Sequence, residues 1–81
     1  MAANPRMTAY GNVSRNSGVV AYALGAGWII VKFEDRWHYE YTVKSAGAPA
    51  IAEMHRLAAA GQGLCTYISQ NVKNSYARKF R

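Results

Sequence analysis

The sequence is short of acidic residues and of cysteine, and both shortages narrow what the chain can be. Its 81 residues hold four Asp and Glu against ten Lys and Arg, so the formal charge at neutral pH is +6. A balance of that sign points to an anionic partner. The one cysteine, Cys65, excludes an internal disulfide and fits a reducing compartment. Cys65 reads first as a small buried hydrophobe. A reactive thiol needs a basic, partly open setting, which a position near a helix start leaves open. The longest apolar run, Gly18 to Val31, is broken by Tyr22, Gly25 and Gly27 and is too mixed to span a membrane. The first residues, Met1 to Arg6, lead into no apolar stretch with a small-residue cleavage site. A cytoplasmic protein with no membrane partner is therefore expected.

Catalytic and metal signatures are equally scarce. General acid–base work needs titratable groups gathered in a pocket, and the chain offers His38, His55, four acids and Cys65. His38 and Glu40 alternate on one strand face, where a solvated pair is the plainer reading. His55 beside Ile51 reads as a half-buried helix histidine, and nothing in the spacing selects a Cys65–His55 dyad. No serine sits in a Gly-x-Ser-x-Gly elbow. His38, His55 and Cys65 lie at no ligand spacing, so no metal site is read. The pairs Gly25/Gly27 and Gly61/Gly63 extend to no nucleotide fingerprint. Turn and helix-end roles explain them, although Gly63 before a helix could offer backbone N–H groups to a phosphate. The sequence thus predicts no enzyme, no catalytic residue, no metal and no cofactor.

What is present is a globular composition, 51% hydrophobic and 12% aromatic. At this length the chain forms one thin-cored domain. Residues 1–12 read as a flexible N-terminal segment, punctuated by Pro5, Gly11 and Asn12, and residues 13–81 as the domain. Three extended segments follow, at Val19 to Leu24, Trp28 to Glu34 and Trp37 to Val43. In the last two, aromatic and β-branched side chains alternate with His38, Glu40, Thr42 and Lys32. Gly25-Ala26-Gly27 and Glu34-Asp35-Arg36 supply the turns of an antiparallel meander. The period then changes. Pro49 opens a helix whose stripe is Ile51, Met54, Leu57 and Ala58, with Glu53 and Arg56 able to pair on another face. Gly61 and Gly63 end it, and a second helix is predicted from Leu64 to Ala77. The expected fold is α+β, a three-stranded antiparallel meander with two helices on one face, β-β-β-α-α.

The register of the second hairpin bears on function. A three-residue loop places Phe33 opposite Trp37, Val31 opposite Tyr39 and Ile29 opposite Tyr41, so these aromatics are core. A two-residue loop puts Tyr39 and Tyr41 beside Lys32 and Ile30 on an open face, a stacking platform for single-stranded nucleic acid. The sequence leaves both arrangements open.

Charge is distributed unevenly. Residues 1–33 hold Arg6, Arg15 and Lys32 without an acid, and residues 34–53 hold all four acids against Arg36 and Lys44. Residues 54–81 hold Arg56, Lys73, Arg78, Lys79 and Arg81, again without an acid. A solvated tail at a helix C-terminus explains part of this, because cations there favour the helix dipole. The alternative is a patch facing phosphates, with Tyr76 and Phe80 interleaved.

Several motifs occur in a telling order. Ser14 and Ser17 precede the first extended run, Trp28 to Phe33 the second, and Tyr39-Glu40-Tyr41 lies at the centre. Gly61-Gln62-Gly63-Leu64-Cys65-Thr66-Tyr67-Ile68 leads to Tyr76. In this order the chain resembles the lysyl-tRNA synthetase C-terminal (KTSC) domain family as a standalone member. That family carries a central tyrosine-any-tyrosine motif, matched by Tyr39 and Tyr41. It also has a glycine-containing segment before its last helix, matched by Gly61 and Gly63. Many members have asparagine near the place of Cys65, and this departure puts a polar role there in doubt. The resemblance implies a small module found at the end of some tRNA-charging enzymes and in bacterial or phage proteins, with RNA binding the proposed activity.

The function expected from the sequence is a non-enzymatic nucleic-acid-binding module, RNA before DNA, with little sequence preference. Its candidate contacts are Lys32, Tyr39, Tyr41, Arg56, Lys73, Tyr76, Arg78, Lys79 and Arg81. The competing expectation is a protein-interaction module. Such a module would be an inhibitor from a phage or mobile element, seated on a nucleic-acid-handling complex as anti-CRISPR proteins are, with exposed Trp28 or Trp37 as an anchor. A homodimer through the sheet face or edge is a further expectation.

Overall fold

The computed structural model describes residues 7–11 and 18–81. The fold is α+β, built on an antiparallel sheet of five strands in the order β1-β2-β3-β4-β5. The strands are β1 (Thr8–Ala9), β2 (Val19–Gly25), β3 (Trp28–Phe33), β4 (His38–Thr42) and β5 (Arg78–Phe80). Between β4 and β5 lie α1 (Val43–Ala46), α2 (Ala48–Ala60) and α3 (Leu64–Tyr67), the last continuing into a π-helical stretch, Ile68–Val72. The three long strands agree with the alternation pattern, and the expected meander is the middle of a larger sheet.

Both additional strands come from segments without strand periodicity. Of residues 1–12, those described are 7–11. There Thr8 and Ala9 pair with Tyr22 and Ala21, and Tyr10 is buried. The helix expected over Leu64 to Ala77 stops at Val72. Ser75 N–H donates to the Val72 carbonyl, and Ala77 N–H donates to the Glu40 carbonyl at 2.6 Å. From there Arg78, Lys79 and Phe80 pair with Glu40, Tyr39 and His38. The open edge of β4 satisfies these backbone groups in a way that no local pattern announces. Lys79 and Arg78 are therefore strand residues and not cations at a helix terminus. Both edge strands are short, which limits pairing with other chains.

Helices cover one face. Ile51, Met54, Ala58, Leu64, Ile68 and Val72 pack on Val19, Ile29, Val31 and Tyr41, with Tyr10 closing the N-terminal side. Pro49 sits in the first turn of α2, and Gly61 ends the helix in the left-handed region at φ 74. Its N–H returns to the Leu57 and Ala58 carbonyls. The one-turn α1 stands where a loop was expected. A reciprocal capping box makes it, in which Ser45 N–H donates to Thr42 Oγ1 and Thr42 N–H donates to Ser45 Oγ. The N-terminal segment is tied to the helices by Leu64 N–H, which donates to the Tyr10 hydroxyl at 3.2 Å.

The opposite face carries Ala23, Ile30, Lys32, His38, Glu40, Arg78 and Phe80. Ala23 and Ile30 are buried there, although they stand outside the helix-covered core. Trp28 lies flat on Gly25, where an added Cβ would fall 2.0 Å from the indole. Only glycine admits that contact.

Candidate nucleic-acid interface

The β3–β4 hairpin settles the register. Val31 pairs with Tyr39 and Ile29 with Tyr41, and Phe33 N–H donates to the Trp37 carbonyl. The loop is Glu34-Asp35-Arg36. Arg36 N–H closes the turn on the Phe33 carbonyl, and Arg36 itself is left-handed at φ 73. A type I turn followed by a left-handed residue is the geometry of a three-residue hairpin loop. Asp35 Oδ1 accepts from Trp37 N–H at 3.0 Å and fixes the exit.

Tyr39 and Tyr41 thus face the helices, in the arrangement the sequence associated with core, but they differ in role. Tyr41 is 1% exposed and belongs to the core. Its burial, and then its neighbours Tyr39 and Tyr76, push its phenol pKa upward. Tyr39 is half-buried and borders an open cleft. Tyr39, Phe33 and Tyr76 form an edge-to-face group. The ring centroids are 5.3 Å apart for Phe33–Tyr39 and 5.1 Å for Tyr39–Tyr76, and Tyr76 also meets Tyr41 at 6.5 Å.

These rings line an open cleft of about 530 Å³ between the π-helical stretch and the β3–β4–β5 end of the sheet. Lys73 and Lys79 line it, as do Glu34 and Asp35 of the hairpin loop and the half-buried Cys65. Register explains Lys79, which is the cross-strand partner of Tyr39 and so shares its face. Its ammonium stands 4.9 Å from the Trp37 ring centre and 5.7 Å from that of Tyr39. The Arg81 guanidinium stands 5.1 Å from the same Trp37 ring. Trp37, named from the sequence as a protein anchor and not among the nucleic-acid contacts, is thus the floor for two cations. Its place in the alternation Trp37-Tyr39-Tyr41 was the signal available for it.

The structure divides the nine sequence-selected residues. Tyr39, Tyr76, Lys73 and Lys79 line the cleft, with Tyr41 as buried wall, and Arg81 stands outside its lining, over the Trp37 ring. Lys32 and Arg78 fall on the opposite face. Arg78 is ion-paired with Glu40 and lies 4.6 Å from the Phe80 ring. Arg56 is on α2, ion-paired with Glu53, which holds the Glu53 carboxyl below its usual range. Both pairs are exposed and worth little to stability, but they offset charge that would otherwise face a ligand.

The other titratable groups are engaged separately. His38 stacks on Phe80 at 4.9 Å with its Nδ1 buried and without a hydrogen-bond partner among the described residues, while Glu40 turns to Arg78. His55 Nε2 hydrogen-bonds the Trp28 carbonyl at 2.9 Å. The Leu64 N–H after Gly63 donates to the Tyr10 hydroxyl and is engaged within the fold. Among the described residues no three His, Cys, Asp or Glu side chains are grouped to hold a metal ion, and no helix is long and apolar enough to cross a membrane. Comparison of the chain with family models, curated proteins and solved structures returns no match.

Proposed function

We propose that this chain is a non-enzymatic nucleic-acid-binding module, that RNA is its preferred ligand, and that the cleft with its cation–aromatic rim is the binding surface. The observation that carries the reading is the pair of cations, Lys79 and Arg81, set over one indole beside an open cleft walled by Tyr39 and Tyr76. Single-stranded nucleic acids bind through this combination of phosphate-contacting cations and rings on which bases stack. The order of residues resembling the KTSC family, with its proposed RNA binding, supports the same choice.

Three cations serve this surface: Lys73, Lys79 and Arg81. Their neutralisation by phosphates corresponds to a log–log salt slope of about −2 on single strands. The test is titration of the protein into labelled single-stranded RNA at low ionic strength. Saturable binding that weakens with that slope supports the proposal, and an absence of binding to RNA and single-stranded DNA refutes it. The protein-interaction reading draws on size and charge, and an exposed tryptophan would favour it; Trp28 and Trp37 are both half-buried.

A further inference from the structure

The cleft holds one feature that a phosphate-binding groove does not need, which is acid. Glu34 and Asp35 line the same space as Lys73 and Lys79. Asp35 has a structural task, since its Oδ1 accepts from Trp37 N–H. The Glu34 carboxylate has no hydrogen-bond or ion-pair partner among the described residues, and its backbone alone is engaged, donating to the Gly18 carbonyl. A carboxylate is acceptor-only when ionised and repels phosphate. In a nucleic-acid groove it therefore fits a part of the ligand that brings N–H donors.

The four bases differ in that respect. Guanine presents two adjacent donors, N1–H and the 2-amino group, which one carboxylate accepts together. Adenine and cytosine place a ring acceptor beside their amino group, and uracil sets N3–H between two carbonyls. The rings of Phe33, Tyr39 and Tyr76 supply apolar surface for a base, and the volume lies within the range of small-molecule sites.

We propose that the cleft is a subsite for one unpaired nucleobase and that Glu34 makes it prefer guanine, with Lys73 and Lys79 meeting the neighbouring phosphates. The inference rests on the nucleic-acid reading above and adds to it a base preference that the chain's charge alone does not supply.

The test uses oligouridine eight-mers carrying a single central G, A, C or U, titrated with the intact protein and with Glu34→Gln. The G-containing strand is expected to bind at least about fivefold more tightly than the all-U strand, the lower range for one bidentate base contact. Glu34→Gln is expected to erase that difference while leaving the salt slope in place and slightly tightening the all-U strand. Glu34 is exposed, so the variant retains the fold, and unfolding by urea checks this. Equal binding of the four strands, or a guanine preference that survives Glu34→Gln, overturns the inference and leaves the nucleic-acid reading standing. Failure of every strand to bind at low salt overturns both.

Discussion

Lys79 and Tyr39 are cross-strand partners, and through this pairing the Lys79 ammonium reaches the faces of both Tyr39 and Trp37. The consequence is that Arg78 and Lys79 have fixed positions on a sheet. An exposed cation–π contact is worth only about 0.5–1 kcal/mol. It orders Lys79 and Arg81 without withdrawing their charge from a phosphate.

The division of cations between surfaces gives a first prediction. Lys73→Ala, at the cleft, should weaken single-stranded RNA binding about threefold or more at low salt. Lys32→Ala, on the opposite face, and Arg56→Ala, on α2, should leave affinity within about twofold. Anisotropy titrations of the three variants check this. Equal losses from all three would mean that charge acts without regard to place.

The link between Tyr10 and Leu64 gives a second. Leu64 is wholly buried at the first turn of α3, where backbone N–H groups have no helical partner. Tyr10→Phe removes the acceptor and should cost about 1–3 kcal/mol in denaturant unfolding. An unchanged midpoint would show that the N-terminal segment does not support the helices.

Arg36 gives a third. It is the one non-glycine residue with positive φ among those described, at 73°. A left-handed conformation costs a side-chain-bearing residue about 1–2 kcal/mol, partly offset by the entropy that glycine loses on folding. Arg36→Gly should therefore stabilise the protein by about 0.5–1 kcal/mol. A loss of stability would show that the Arg36 side chain contributes more than its backbone costs.

Tyr41 gives a fourth, in its pH dependence. Its phenol pKa is raised above the ordinary 10.0 by burial first and then by the neighbouring Tyr39 and Tyr76. The folded state thus keeps a proton that the unfolded state releases. Stability should be constant below pH 10 with respect to this group. It should fall above pH 10 by up to about 1.4 kcal/mol per pH unit until the folded phenol itself ionises. Urea unfolding from pH 9 to 11 measures the slope, and Tyr41→Phe should flatten it. A slope unchanged in that variant would assign the effect elsewhere.

The centre of the sheet and the first helix were legible because each carries its own periodicity. The alternation from Trp28 to Thr42 and the stripe Ile51, Met54, Ala58 report burial that local geometry imposes. The edge strands carry no such pattern. Ala77 N–H bonds to Glu40 and Arg78 reaches the Glu40 carboxylate from 38 residues away, and helical spacing through Val72 gave no warning of that return. The same gap governed the site. Composition identified the basic C-terminus, but which cations share a face depends on the β4–β5 register, so Lys79 and Arg81 join Tyr39 while Arg78 turns to the other side. Trp37 was read as a protein anchor and not as a cation contact for a related reason, since that role comes from the chain end that lies over it.

The measurement that tests the central claim most directly is the salt dependence of single-stranded RNA affinity for the intact protein and for the double variant Lys79→Ala/Arg81→Ala. The account predicts a log–log slope of about −2 for the former and about −0.7 for the latter, as two phosphate contacts are lost. A slope that is the same in both proteins would contradict it.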